Sequence, residues 1–122
     1  MFNQREAIQI VDKLIELTQH GVMAWTKEDP PGYMNTMDSR VDLIYVASHL
    51  GRRMRVYVYH FKYYFDESSF VWDQQVKIEI IDSYDRVEAS FPKVPNSMEL
   101  LSSIQYQNPN VGNFYKDIFG RS

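Results

Sequence analysis

Three histidines, His20, His49 and His60, are the side chains of this sequence best suited to holding a metal ion. A metal centre needs ligands that converge on one point, usually with paired spacing on one element. His49 and His60 are expected to face each other across a hairpin, but no third ligand accompanies them. Structural or surface roles are therefore expected for all three, with no metal and no cofactor. Asp66, Glu67 and Asp73 form a second group. Paired carboxylates do acid–base work when their environments differ; the same residues also keep a turn solvated and guard a strand edge. The second role is expected here. Asp82 and Asp85 flank a turn, where aspartate bonds its own backbone. The chain has no cysteine, which removes thiolate catalysis, zinc–thiolate sites and disulfides together. It also lacks the Gly-x-Ser-x-Gly elbow, the phosphate loop and the dinucleotide fingerprint. No catalytic residue is assigned, and an enzyme is not expected.

The remaining constellation is aromatic. From Arg55 to Phe65 the chain reads as one long strand with rings on both faces. Tyr57, Tyr59, Phe61, Tyr63 and Phe65 fall on one side of the pleat with Arg55; Val56, Val58, His60, Lys62 and Tyr64 fall on the other. Nine tyrosines and seven phenylalanines make the whole chain ring-rich. Tyrosine and tryptophan lead at contact surfaces because they add area at low entropic cost. The expected contact set is Arg55, Tyr57, Tyr59, Tyr63, Tyr64 and Trp72, beside a long loop at 26–39. The leading expectation is a protein–protein interaction module whose partner is another protein or a second copy, giving a homodimer. An inhibitor or immunity-type accessory role fits the size and class. The alternative uses the same strand, residues 52–65, to bind single-stranded nucleic acid. There Arg52, Arg53, Arg55 and Lys62 would contact phosphates while rings stack on bases. A net charge of −3 opposes that alternative, since a basic surface normally supplies such affinity.

These residues must be positioned by the elements around them. An amphipathic helix opens the chain, capped by Asn3 with Glu6, its apolar stripe running through Ala7, Ile8, Val11, Leu14, Ile15 and Thr18. Gly21 is placed to end it. Val22–Trp25 reads as a short strand and 26–39 as a loop broken by Pro30, Pro31 and Gly32. Residues 41–49 read as a strand buried on both faces, joined by a short turn to the aromatic strand. Phe70–Asp73 reads as a continuation or a bulged loop. Val76–Ile81 is a strand with Val76, Ile78 and Ile80 inward and Lys77 and Glu79 outward; Arg86–Phe91 follows. Asn96 with Glu99 should cap a further helix with Met98, Leu101 and Ile104 on its stripe. Asn110 should start a last one carrying Val111, Phe114, Tyr115, Ile118 and Phe119. The reading is a single α+β domain over residues 1–122. It comprises an N-terminal helix, an antiparallel meander of about five strands and two C-terminal helices packed on one sheet face. The other face should be solvated or covered by a second copy.

No signal peptide pattern is present, and no apolar run approaches the roughly 18 residues of a spanning helix. A cytoplasmic protein without membrane contact is expected. Leu17, Thr18, Gly21 and Trp25 form a Leu-Thr-x-x-Gly segment followed by a Trp-bearing strand. With Leu100-Leu101, Val111, Phe114 and Asp117-Ile118 near the other end, the chain resembles a group of small uncharacterised bacterial, notably cyanobacterial, and phage-associated domains. That resemblance implies a small soluble accessory protein and no reaction.

Overall fold

The structure, a computed structural model, describes residues 2–120. Helix α1 spans Gln4–Gln19. Asn3 caps it as the sequence suggests: its Oδ1 accepts the Glu6 N–H at 2.8 Å, and its own N–H donates to Glu6 Oε1 at 3.0 Å. The far end closes in a Schellman motif. Val22 N–H reaches the Leu17 carbonyl and Gly21 N–H the Thr18 carbonyl, and Gly21 takes the φ of +73° that this motif demands. Ala7, Val11, Leu14, Ile15 and Thr18 are buried.

The strand expected at Val22–Trp25 forms later, as β1 over Thr26–Glu28. Other partners have claimed the earlier backbone. Gln107 Nε2 donates to the Thr18 and Met23 carbonyls, and Gln107 Oε1 accepts the Trp25 N–H. A single-turn 3₁₀ helix follows at Gly32–Met34, then β2 at Ser39–Arg40. β3 runs over Ile44–His49, β4 over Arg52–Tyr64, β5 over Phe70–Ile81 and β6 over Val87–Ser90. Phe70–Asp73 is thus a continuous part of β5 rather than a loop. Every pairing is antiparallel, in the order β1-β3-β4-β5-β6, with β2 in line with β3 along the same edge of β4. Leu50 and Gly51 both have positive φ. They form the two-residue turn between β3 and β4 whose twist matches that of the strands.

Helix α2 covers Ser97–Tyr106 and buries Leu100, Leu101 and Ile104 against α1 and the sheet. Asn96 does not cap it by side chain. Its Nδ2 instead ties α2 to α1, donating to the Ile8 carbonyl at 3.1 Å and Asp12 Oδ1 at 2.8 Å. Helix α3, Pro109–Ile118, begins one residue before Asn110 because Asn108 caps it and Pro109 suits its first position. It contacts α2 and buries none of its own residues. The architecture is the expected α+β one, with an N-terminal helix, an antiparallel sheet and two C-terminal helices.

The sheet has a core on each face. Ala47, Met54, Val56, Val76 and Ile78 meet α1 and α2. Ile44, Val46 and Tyr57 meet Met34 and Val41 on the other side. That second core corrects one expectation: the near half of the far face is covered by the chain's own 29–43 segment, not by solvent or a second copy. The segment is pinned by Asn35, whose side chain pairs with both the N–H and the carbonyl of Val41 at 3.1 Å, as a neighbouring strand would.

Candidate interaction surface

β4 and β5 form one hairpin paired without interruption from Arg53↔Ile81 to Tyr64↔Phe70. Its two ends differ. At the root, Arg55 and Glu79 stand directly opposite each other, 2% and 6% exposed. Arg55 Nε donates to Glu79 Oε1 at 2.7 Å, Tyr57 Oη donates to the same oxygen at 3.0 Å, and Arg55 Nη2 donates to Tyr33 Oη at 3.1 Å. Burial works to lower the Arg55 pKa. The hydrogen bonds to Glu79 and Tyr33 outweigh it, and the net direction is upward. Burial, reinforced by the Glu79 charge, pushes the Tyr57 phenol well above its ordinary value. Arg55 therefore stays charged and Tyr57 neutral, and the two share one carboxylate. This is a peg that fixes the 29–43 segment through Tyr33.

Along the strands burial fades. At the far end Tyr63, Tyr64, Phe65, Phe70, Val71 and Trp72 are each between 40% and 65% exposed. The rings are ordered by one another. Tyr63 and Phe65 meet edge to face at 5.8 Å, Phe70 and Trp72 at 6.3 Å, and Tyr64 lies 5.5 Å from Phe70. Lys62 Nζ sits 4.4 Å from the Phe70 ring centre and 5.7 Å from that of Trp72, within cation–π range. Asp38 anchors this face: it accepts the Tyr64 hydroxyl at 2.8 Å and lies 3.8 Å from Lys62 Nζ. The bond to Asp38 holds the Tyr64 phenol above its usual range. Asp66 closes the tip by accepting the Ser68 and Ser69 N–H groups at 2.9 Å, which lowers its pKa.

Of the six expected contact residues, Tyr64 and Trp72 share one face of this exposed end, Tyr63 stands on its other face, and Tyr59 is half-buried against Phe61. Arg55 and Tyr57 are inside, so they are corrected from contact residues to internal supports. Glu79, expected outward, is buried with them. A charged residue on an apparently solvated face gave no hint of its cross-strand arginine. Phe70, Lys62 and Asp38 belong to the exposed end as well. Phe70 was legible once β5 was extended to it, whereas Asp38 sits in a loop with no periodicity to place it.

The other candidate constellations disperse. His49, at the end of β3, pairs with Arg52 at the start of β4, whereas His60 lies eight residues further along β4 opposite Arg40 and Gln74, so the two histidines do not face each other. An open groove of about 940 Å³ lies between the end of α1 and α2, lined by Trp25, Tyr106 and Glu99 among others. Its lining includes Ser102, Ser103 and Glu99, and the Ser103 hydroxyl accepts from Gln19 Nε2 at 3.4 Å. No helix among the described residues is long and apolar enough to cross a membrane. The chain matches no protein-family model, no curated protein and no solved structure, so the functional reading rests on its own geometry.

Proposed function

We propose that this protein is a small protein–protein interaction module that docks through the projecting end of the β4–β5 hairpin. The observation that carries the reading is the excess of rings. Both cores are complete without Tyr63, Tyr64, Phe65, Phe70 and Trp72, yet Tyr64, Phe70 and Trp72 adjoin one another in the open on one face of the hairpin end, and Tyr63 and Phe65 do so on the other. Contiguous exposed rings rimmed by polar groups mark contact sites, and Lys62 with Asp38 supplies that rim. The nucleic-acid alternative draws less support. Of its four cations, Arg53, Arg55 and Lys62 each sit against a carboxylate, Asp85, Glu79 and Asp38, which leaves Arg52 to carry it. A cytoplasmic inhibitor or immunity-type accessory role is compatible with the reading and draws only on size and class.

The test is selective capture. Immobilised wild-type protein should retain a partner from an extract of the encoding cells. A Tyr64→Ser, Trp72→Ser double variant should release it, and Gln9→Ala on the exposed side of α1 should not. Equal retention by all three, or none by any, would overturn the reading.

A further inference from the structure

At the projecting end of the hairpin β5 carries an open backbone edge. The Phe65 N–H donates to the Ser69 carbonyl at 2.8 Å, and the β4–β5 register holds from there to Ile81. Antiparallel ladders alternate between bonded and non-bonded pairs. Odd-numbered residues of β5 therefore turn their backbone groups towards β4 and even-numbered ones turn away. The Phe91 N–H bond to the Ile78 carbonyl, 2.9 Å, follows the same alternation on the β6 side. β6 pairs only with residues 79–81, Phe91 closes the edge at Ile78, and Pro92 has no N–H with which to go further. Phe70, Trp72 and Gln74 thus present their backbone groups to no strand among the described residues. The Gln74 N–H has a makeshift partner, its neighbour's Asp73 Oδ1 at 2.7 Å.

Sheet edges are defended against pairing by lysine, proline, bulges, other charges or a cover. Between Phe70 and Gln75 the one such device is the charge of Asp73. An aspartate turns away acidic strands and admits basic ones. When an extended segment adds to an open edge, backbone bonds supply affinity and alternate side chains supply selectivity. The two faces of β5 define that segment. On one face its side chains would lie beside Phe70 and Trp72, where apolar groups are favoured. On the other they would lie beside Asp73, which has no ion-pair partner among the described residues. Asp66 and Glu67 in the adjoining turn add to the negative charge at this end. A second copy brings the wrong charge, because its own free stretch carries Asp73 and no cation. A register setting its Lys77 against Asp73 would lay its Phe70–Trp72 over Ile78–Ile80, where β6 and Phe91 already pair. The cation must come from a different chain.

We propose that a protein partner adds an extended segment of alternating apolar and basic residues to β5 beside Phe70–Gln74, apolar on the Trp72 face and basic on the Asp73 face. The inference rests on the reading that a protein docks at this hairpin end, and it makes backbone pairing the means. Three end-blocked synthetic peptides test it by NMR titration at low salt: Lys-Val-Lys-Val-Lys-Val, the block-ordered Lys-Lys-Lys-Val-Val-Val, and Glu-Val-Glu-Val-Glu-Val. The first should shift the Phe70, Trp72 and Gln74 amide signals, and the other two should bind about tenfold more weakly or worse. Gln74→Pro should abolish binding while leaving the circular dichroism unchanged, because that N–H points away from β4. Asp73→Lys should transfer the preference to the glutamate peptide. No binding by any peptide up to about 1 mM would overturn the proposal. So would equal binding of the alternating and block-ordered lysine peptides, or undiminished binding by Gln74→Pro. A wild-type dimer in sedimentation that Gln74→Pro reduces to monomer would give the edge to a second copy and overturn it too. The capture experiment separates the two readings. Full capture by Gln74→Pro would sink strand addition and leave docking standing, whereas full capture by the Tyr64→Ser, Trp72→Ser variant would sink docking through the rings.

Discussion

The two ends of the β4–β5 hairpin are built from the same residue types and do opposite things. Both hold tyrosines, a cation and a carboxylate within a few residues. At the root, Arg55, Tyr57 and Glu79 lie beneath the 29–43 segment with little water around them. At the tip, Lys62, Tyr64 and Asp38 make a similar set of contacts in the open. The difference lies in what stands above each set. The strands outrun the helices and the covering segment, so one set becomes part of the interior and the other becomes surface. Composition alone cannot assign these roles, because the length of a strand relative to its cover decides them.

Removing charges should expose this contrast most sharply. Glu79→Ala would leave the Arg55 guanidinium buried and unpaired, which costs about 3–5 kcal/mol. Urea unfolding should show a large fall in midpoint, whereas Asp38→Ala at the tip should barely move it. A midpoint for Glu79→Ala close to wild type would show that the root is no more enclosed than the tip. Next in size, Tyr57→Phe removes one hydrogen bond to Glu79 and should cost about 1 kcal/mol at neutral pH.

That variant also separates the ends by pH. The Tyr57 phenol is raised in the folded protein, first by burial and then by the Glu79 charge. The folded state therefore holds a proton that the unfolded chain gives up near the ordinary tyrosine range, about pH 10. Its contribution is fully present below that pH and is lost as pH rises beyond it. Stability measured from pH 9 to 12 should fall for wild type and fall less for Tyr57→Phe. The tip answers at the acid end. Asp66 is lowered by the Ser68 and Ser69 N–H bonds, so its contribution is present above about pH 4 and fades below it. Asp66→Asn should flatten that acid limb slightly.

Smallest of all should be Trp72→Ala, within about 0.5 kcal/mol of wild type. A half-exposed ring that adds to neither core has little to lose on truncation. A fall as large as that for Tyr57→Phe would mean that the tip supports the fold, and the excess of rings on which docking depends would disappear.

The sequence carried the architecture well where periodicity was strong. α1, with its Asn3–Glu6 cap and its buried Ala7, Val11 and Leu14, was readable to the residue. So was the two-sided burial of β3, where Ile44 and Val46 face one core and Ala47 the other. What escaped were contacts made across large separations. Gln107 gave no local sign that it would take the place of a strand partner beside Met23 and Trp25, because its contacts lie 82 and 84 residues away. Glu79 reads as a solvent-facing charge until its position opposite Arg55 is known. The contact set was half legible for the same reason. Alternation places Tyr57, Tyr59 and Tyr63 on one face, but where the cover ends is set by the 29–43 segment, whose Asn35 and Tyr33 contacts follow no period.

The seating of α1 on α2 has a bearing on how the molecule is made. Leu100, Leu101 and Ile104 complete the core into which Val11 and Leu14 point, and they are synthesised after every strand. While the ribosome works through the sheet, the first helix has an oily stripe with half of its cradle still missing. Nascent chains are then exposed to wrong partners until the ninety-seventh residue and its successors emerge.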